Sequence, residues 1–485
     1  MSLRPLALCL SLSPSPSLPP SLFCRFAARL TVLLAAPLLA GAQTLPPEVD
    51  AALVRGKLPR DAVTFLVTEV DSRAAPRLAH RVTSPVNPAS VAKLATTFAA
   101  LELLGPAYTW STPVYADGTV RDGTLQGNLY IKGSGDPKLV AERIWLLMRR
   151  VQGLGIRAIN GDIVIDQSAF SLPEHNPMAF DGEPLRAHNV GPGALLLNYR
   201  AMTITFTPRE GNAMVHVEPP MAGVQAPASI PLTRAECGDW RGGLQADFND
   251  PARLRFAGGF PASCGERVWP MAFADPRSYS ARTLAAMWQQ AGGALTGQVR
   301  EGKVPAGLAP VFEVQSPPLA EIVRDINKFS NNVMAQQVFL TLSLQRSGVA
   351  TMAGSREVMR QWWTQRFGGE PPVFDNGSGL SRDDRMTAQQ LAQLLQAAWA
   401  SPLMADLMSS LPLSGIDGTM RRMRGRSAGL AHLKTGSLRD VTGVAGYVHA
   451  TNGKRYVLVA IANHANASAV RPAIEALIEW TAAAQ

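Results

Sequence analysis

Ser90 and Lys93 stand three residues apart in the stretch Asn87-Pro88-Ala89-Ser90-Val91-Ala92-Lys93. On a helix that spacing projects both side chains from one side. A hydroxyl held beside an amine makes a nucleophile, provided the amine is neutral and can take the proton. Two more groups could join them: Ser330-Asn331-Asn332, and Lys434-Thr435-Gly436-Ser437 near the end of the chain. Hydroxyls, amines, an amide and a strand glycine together suit acyl transfer. Each element is weak alone. Ser and Lys at this spacing arise by chance about once or twice in a chain of this size, and Ser-Asn-Asn reads equally well as a helix interruption.

The segments that must carry these residues have recognisable ends. Asn87 can cap a helix, Pro88 suits its first turn, and Gly105-Pro106 stops it after Leu104. Leu94, Phe98, Leu101 and Leu104 leave little polar face, so the helix should be buried. A helix is expected at 45–58 and a strand at 63–70 with a hairpin partner at 78–83. From 105 to about 267 come short β-prone runs (128–131, 162–166, 202–206, 214–218), broken by Pro219-Pro220 and Gly258-Gly259. Helical patterns return at 280–292, 319–343, 355–367 and 387–400. The end reads as extended chain at 432–434, a hairpin of 444–450 and 455–462 turned at Asn452-Gly453, and a helix at 469–483. Strands near both ends with helices between imply one domain built from both ends, and the middle must fold as an insertion.

Composition is that of a globular protein, 46% hydrophobic and 17% charged. The first 42 residues differ: Arg4, Arg25 and Arg29, no acid, an apolar run from Leu30 to Leu39, then Ala40-Gly41-Ala42. This is the pattern of a secretory signal cut before Gln43. A short membrane anchor is the alternative, but the run is about half the ~20 residues a span needs. Without those arginines the formal charge falls from +9 to +6, a mild excess suited to an anionic wall polymer or peripheral contact with a membrane surface. No basic stripe with interleaved aromatics points to nucleic acid. Cys9 and Cys24 leave with the signal. Cys237 and Cys264 remain, either as a disulfide closing a loop of about 28 residues, worth roughly 3–4 kcal/mol, or as two buried thiols. No histidine or cysteine spacing suggests a metal site, and no cofactor is expected.

In chain order the three groups read S-x-x-K, S-x-N and K-T-G, the set shared by penicillin-binding proteins and class A β-lactamases. With the 240-position gap from Ser90 to Ser330, the chain resembles the class C low-molecular-mass penicillin-binding proteins, D-alanyl-D-alanine carboxypeptidase/endopeptidases. Further family-like stretches are Gly133-Ser134-Gly135-Asp136-Pro137, 161–166, 375–382 and 411–418. The resemblance implies an α+β fold: a serine D,D-transpeptidase-like domain, an antiparallel sheet flanked by helices, with two β-rich inserted domains. Its parts would be 43–112 and 268–485, with one inserted domain at 113–190 and 255–267 and the other at 191–254.

It also implies roles. Ser90 attacks the penultimate D-alanine carbonyl, and Lys93 takes its proton. That requires lowering a lysine from ~10.4 to ~7–8, roughly 4 kcal/mol, by burial and by the charge of Lys434. Ser330 relays the proton, Asn332 holds Lys93 and the substrate amide, and Lys434 and Thr435 bind the terminal carboxylate. Gly436 leaves room for substrate backbone, and the N–H groups of Ser90 and Ser437 form an oxyanion hole. Asp166, Arg382 and Phe170 match positions that hold the far end of the diamino acid. Arg439 departs from the usual neutral polar residue after that motif, which bears on the substrate side chain preferred. The substrates implied are peptidoglycan stems and cross-links, with β-lactam antibiotics as covalent inhibitors, in the periplasm. A β-lactam hydrolase and a non-catalytic wall-binding or β-lactam-sensing module are the rival readings. The run Arg421-Arg422-Met423-Arg424-Gly425-Arg426 is either a solvated loop or a contact near the cleft for anionic wall polymer or lipid.

Overall fold

Strand Val63–Glu69 opens the main sheet with Leu78–His80 beside it, and after that pair the chain returns to the sheet only beyond residue 430. This computed structural model describes residues 44–71 and 74–483; the expected signal segment lies outside the described residues. The five strands run in the order Ala431–Leu438, Val441–His449, Arg455–Asn463, Val63–Glu69, Leu78–His80, each antiparallel to its neighbour. Alternation along Arg455–Asn463 explains the layers. Val457, Val459 and Ile461 enter one apolar core, while Tyr456, Leu458, Ala460 and Ala462 enter another. The first core holds helices Lys93–Leu104, Leu319–Phe329, Asn332–Ser347, Met352–Phe367 and Ala388–Trp399. The second holds Pro47–Arg55 and Arg471–Ala482. With both faces covered, the interior strand Val441–His449 is buried almost throughout. The fold is α+β, with its sheet between helices.

Two helices differ from the sequence pattern in ways that matter at the site. The Ser90 segment begins as a tight 3-10 turn, Ala89–Ala92, and becomes α-helical only at Lys93. The stretch expected as one helix at 319–343 is two, because Ser330 adopts a left-handed conformation (φ 58°). Asn331 then caps the second helix, accepting from the Met334 N–H at 3.1 Å.

The inserted region contains two five-stranded sheets around a shared core. Its limits differ from those the resemblance implies. Val299–Glu301 and Phe312–Gln315 pair with Ile163–Asp166 and Ser111–Ala116, so they join the sheet of the first inserted segment rather than the 268–485 part. Phe260–Pro261 and Arg267–Ala272 likewise join the sheet of Ala201–Pro208, Asn212–Glu218 and Ser229–Thr233, beyond the expected limit at 254. These short pairings are set by partners distant in sequence, which local composition does not register. Helix Ala141–Gly153 also interrupts the β-prone block, burying Ile144, Leu147, Met148 and Val151 at helical spacing. Cys237 and Cys264 form a disulfide, with Cα atoms 4.8 Å apart.

Candidate active site

The 3-10 turn bearing Ser90 is pinned from three directions. Asn87 Oδ1 accepts the Ala89 N–H at 2.8 Å, and the Asn87 amide donates to the Ser381 carbonyl at 2.9 Å. Asn463, at the end of its strand, exchanges two hydrogen bonds with the Asn87 backbone (2.8 and 3.0 Å). Gly379 and Gly436 approach from the other sides. A Cβ on Gly379 would sit 2.0 Å from the Ala89 carbonyl, and one on Gly436 2.7 Å from the Pro88 carbonyl and 3.1 Å from Ser90 N. Gly436 therefore makes room for the nucleophile turn, where the sequence reading gives it room for substrate. The strand lies that close because its pairing fixes Gly436 opposite Gly443.

Lys93 is wholly buried. Its ammonium nitrogen donates to Ser90 Oγ at 2.9 Å, to Asn332 Oδ1 at 2.7 Å and to the Ser378 carbonyl. Burial, and then the positive charge of Lys434, hold its pKa well below that of an ordinary lysine; Asp384 acts in the opposite sense. Lys434, also buried, donates to Ser330 Oγ and to the Thr435 carbonyl, both at 2.8 Å. Burial brings its pKa down to about 7. Thr435 Oγ1 lies 2.7 Å from Thr419 Oγ1. Asn332 Nδ2 donates to the His188 carbonyl at 3.2 Å, which ties the inserted region to the motif helix.

A cleft of about 490 Å³ opens at Ser90, with Ser330, Asn332, Ser437 and Arg382 in its wall. Arg382 pairs with Asp440 at 3.2 Å, and its guanidinium lies 4.9 Å from the centre of the Phe180 ring. Arg439 lines the same cleft. Asp166 and Phe170 do not. The Asp166 carboxylate is 2% exposed, and its oxygens accept the N–H groups of Ser168 (2.8 Å) and Val304 (2.9 Å). It closes the end of its strand, and both oxygens are already engaged. Phe170 lines a separate cavity, pairs with Ala350 and packs against Gly135. Their side of the cleft is furnished instead by Phe180, Asp181 and His188, whose Nε2 is 3.0 Å from Asp181 Oδ2. No periodicity or spacing marks those residues in the sequence.

Two further groups escape a reading of motifs. Ser378 contributes only its carbonyl, in the turn Asn376-Gly377-Ser378-Gly379, whose glycines signal unusual backbone but not a ligand for Lys93. Asp384 is 2% exposed: one oxygen accepts the Asp375 N–H at 2.8 Å and the other has no partner. Burial raises its pKa to about 7, the Asp375 N–H working against that rise. This carboxyl closes the 375–384 loop that presents Ser378 to Lys93.

Chemically, the cleft joins a hydroxyl to a desolvated amine, with a second amine–hydroxyl pair facing it. Residues 45–484 match the D-Ala-D-Ala carboxypeptidase 3 (S13) family. The D-alanyl-D-alanine carboxypeptidase of Actinomadura sp. (strain R39) is 27% identical over 467 residues, covering 88% of this chain and 83% of that one. The carboxypeptidase DacB of Haemophilus influenzae is 24% identical over 398 residues, 77% of this chain and 80% of its own. Among solved structures, penicillin binding protein 4 of H. influenzae superposes with a TM-score of 0.70 at 21% identity, covering 89% of this chain and 99% of that one. The same protein complexed with a β-lactam gives 0.67 at 20% identity, over 90% and 99%. The chain belongs to the D-Ala-D-Ala carboxypeptidase 3 (S13) family and is a serine peptidase acting on peptidoglycan.

Proposed function

We propose that this peptidase works through an acyl-enzyme on Ser90, releasing D-alanine from peptide stems and opening D,D-cross-links. The observation that carries the reading is the 2.9 Å contact between Ser90 Oγ and a fully buried Lys93 Nζ. Neutral Lys93 takes the Ser90 proton as Oγ bonds to the D-alanine carbonyl carbon. The amide C–N bond then breaks. Ser330 donates its proton to the departing amine and regains one from the Lys93 ammonium; because Lys434 donates to Ser330 Oγ, the Ser330 hydrogen is free to point elsewhere. The N–H groups of Ser90 and Ser437 hold the oxyanion, worth ~3–4 kcal/mol per donor. Lys434 and Thr435 hold the terminal carboxylate, Arg382 a carboxylate on the acyl side. Water hydrolyses the ester by the same route reversed. The division into a catalytic unit made from both chain ends and an inserted region belongs to this reading, as do export to the periplasm and covalent capture of β-lactams. Among the described residues no helix is long and apolar enough to cross a membrane.

A peptide ending in D-Ala-D-Ala, incubated with the purified chain, should yield free D-alanine, and Ser90→Ala should abolish this. Penicillin should leave a persistent penicilloyl mass on the Ser90 peptide. Rapid penicillin turnover would favour the β-lactam hydrolase, and a cleft that binds without releasing D-alanine would favour the sensing module.

The two lysines also set a pH profile. The rate rises with pH as Lys93 loses its proton, and falls once Lys434, at about 7, loses the charge that binds carboxylate. Lys434→Arg, charged at every working pH, should retain kcat/KM within about tenfold and lose the alkaline limb. Stability follows the same shift. Between about 7 and the ordinary 10.5 the unfolded chain holds a proton that folded Lys434 lacks, so stability rises with pH across that window. A Lys434→Arg profile with its alkaline limb in place would remove Lys434 from this role.

A further inference from the structure

Ser90 stands where two openings meet. The first is the cleft bearing Arg382. The second, about 450 Å³, shares Ser90, Ser330 and Ser437 with it and extends the other way, past Thr435 and Thr419. Its base is apolar, with Met420 and Ile474 both buried. Its rim is charged, with exposed Arg422 and Arg471 and the carboxylate of Glu475. Arg422 belongs to the run 421–426, a motif the acyl-transfer chemistry leaves unused. Whereas Arg382 is held by Asp440, neither Arg422 nor Arg471 is committed to an ion pair among the described residues.

The polarity of the substrate decides what enters. Thr435 faces the second opening, so a carboxylate beside the departing nitrogen points there, while the acyl portion lies toward Arg382. One departing D-alanine fills a small part of such a space, which is in the ~300–1,000 Å³ range of sites for drug-sized ligands. An acidic peptide fits it better: apolar contacts along the base and guanidinium groups at the rim for further carboxylates.

We propose that this second groove binds the leaving side of a cross-linked substrate, an acidic peptide stem, and that Arg422 and Arg471 recognise its carboxylates. This rests on Ser90 being the nucleophile. The groove acts on one class of bond donor: it favours cleavage when the departing amine belongs to a peptide rather than to free D-alanine.

The test compares two substrates with the full chain, a cross-linked peptide dimer and a monomeric pentapeptide. The readout is the ratio of kcat/KM for dimer cleavage to kcat/KM for D-alanine release. In the Arg422→Ala/Arg471→Ala variant that ratio should fall about tenfold, and the Arg422→Lys/Arg471→Lys variant should restore most of it. Added salt should lower the wild-type ratio and leave that of the alanine variant little changed. A ratio within twofold of wild type overturns the groove assignment, and so does a parallel fall for both substrates with the thermal midpoint unchanged. D-Alanine release that survives Ser90→Ala overturns the nucleophile assignment instead, whatever the ratio does.

Discussion

Lys93→Met should slow acylation of Ser90 by about 10²–10⁴-fold, for pentapeptide and penicillin alike, because in the proposed mechanism the hydroxyl loses the amine that takes its proton. Methionine is likewise unbranched and carries no charge, so the fold is expected to persist. The loss falls on Asn332 Oδ1 and the Ser378 carbonyl, each deprived of its donor from Lys93. Two unsatisfied acceptors cost roughly 1–3 kcal/mol each at most, offset by no longer desolvating an amine. Stopped-flow acylation beside a denaturation curve separates the two effects. Acylation within tenfold of wild type, in a folded variant, would remove Lys93 as the base. Asp384→Asn probes the same group from behind. It removes the carboxylate that favours the ammonium form, so the acid limb of kcat/KM should move to lower pH.

Gly379→Ala should be nearly as damaging without touching a reacting group. Its Cβ would lie 2.0 Å from the Ala89 carbonyl at φ 73°, so the turn bearing Ser90 must shift. Gly436→Ala presses on that turn from the strand side, against the Pro88 carbonyl at 2.7 Å. A displaced Ser90 N–H no longer points at the oxyanion, and the loss of one such donor costs ~10²–10³-fold in kcat. Overpacking alone costs ~1–3 kcal/mol of stability. Gly348→Ala is the control: its φ is also positive, 76°, but no atom lies within 4 Å of the added methyl. It should lower stability with kcat/KM unchanged. If all three variants lose stability but retain activity, close approach at the turn is not what positions the nucleophile.

Some of this was legible in the chain itself. The Gly105 stop and the apolar run before it depend only on near neighbours, so the helix ends at Leu104, where those signals put it. The continuous apolar run at 455–462 marks its strand for the same reason, since a sheet buried on both faces leaves apolar residues at nearly every position. The Ser90–Lys93 spacing needs one turn of helix to become a contact, and one turn is local.

What lay beyond the sequence depends on who else arrives. Asp166 carries the same residue type wherever it lies, and the backbone N–H that engages its Oδ2 comes from Val304, 138 positions away. Asp384 and Thr419 bear no motif, and the family-like stretch around Ser378 does not mark its carbonyl as a partner for Lys93; they matter because loops returning from distant segments bring them to Lys93 and Thr435. The depressed pKa of Lys93 has the same origin, since water is excluded only once several elements close over it. Local chemistry can be read along the chain because it is short-ranged. Solvent exclusion and the pairing of distant groups are properties of the packed interior, and only the tertiary structure decides them.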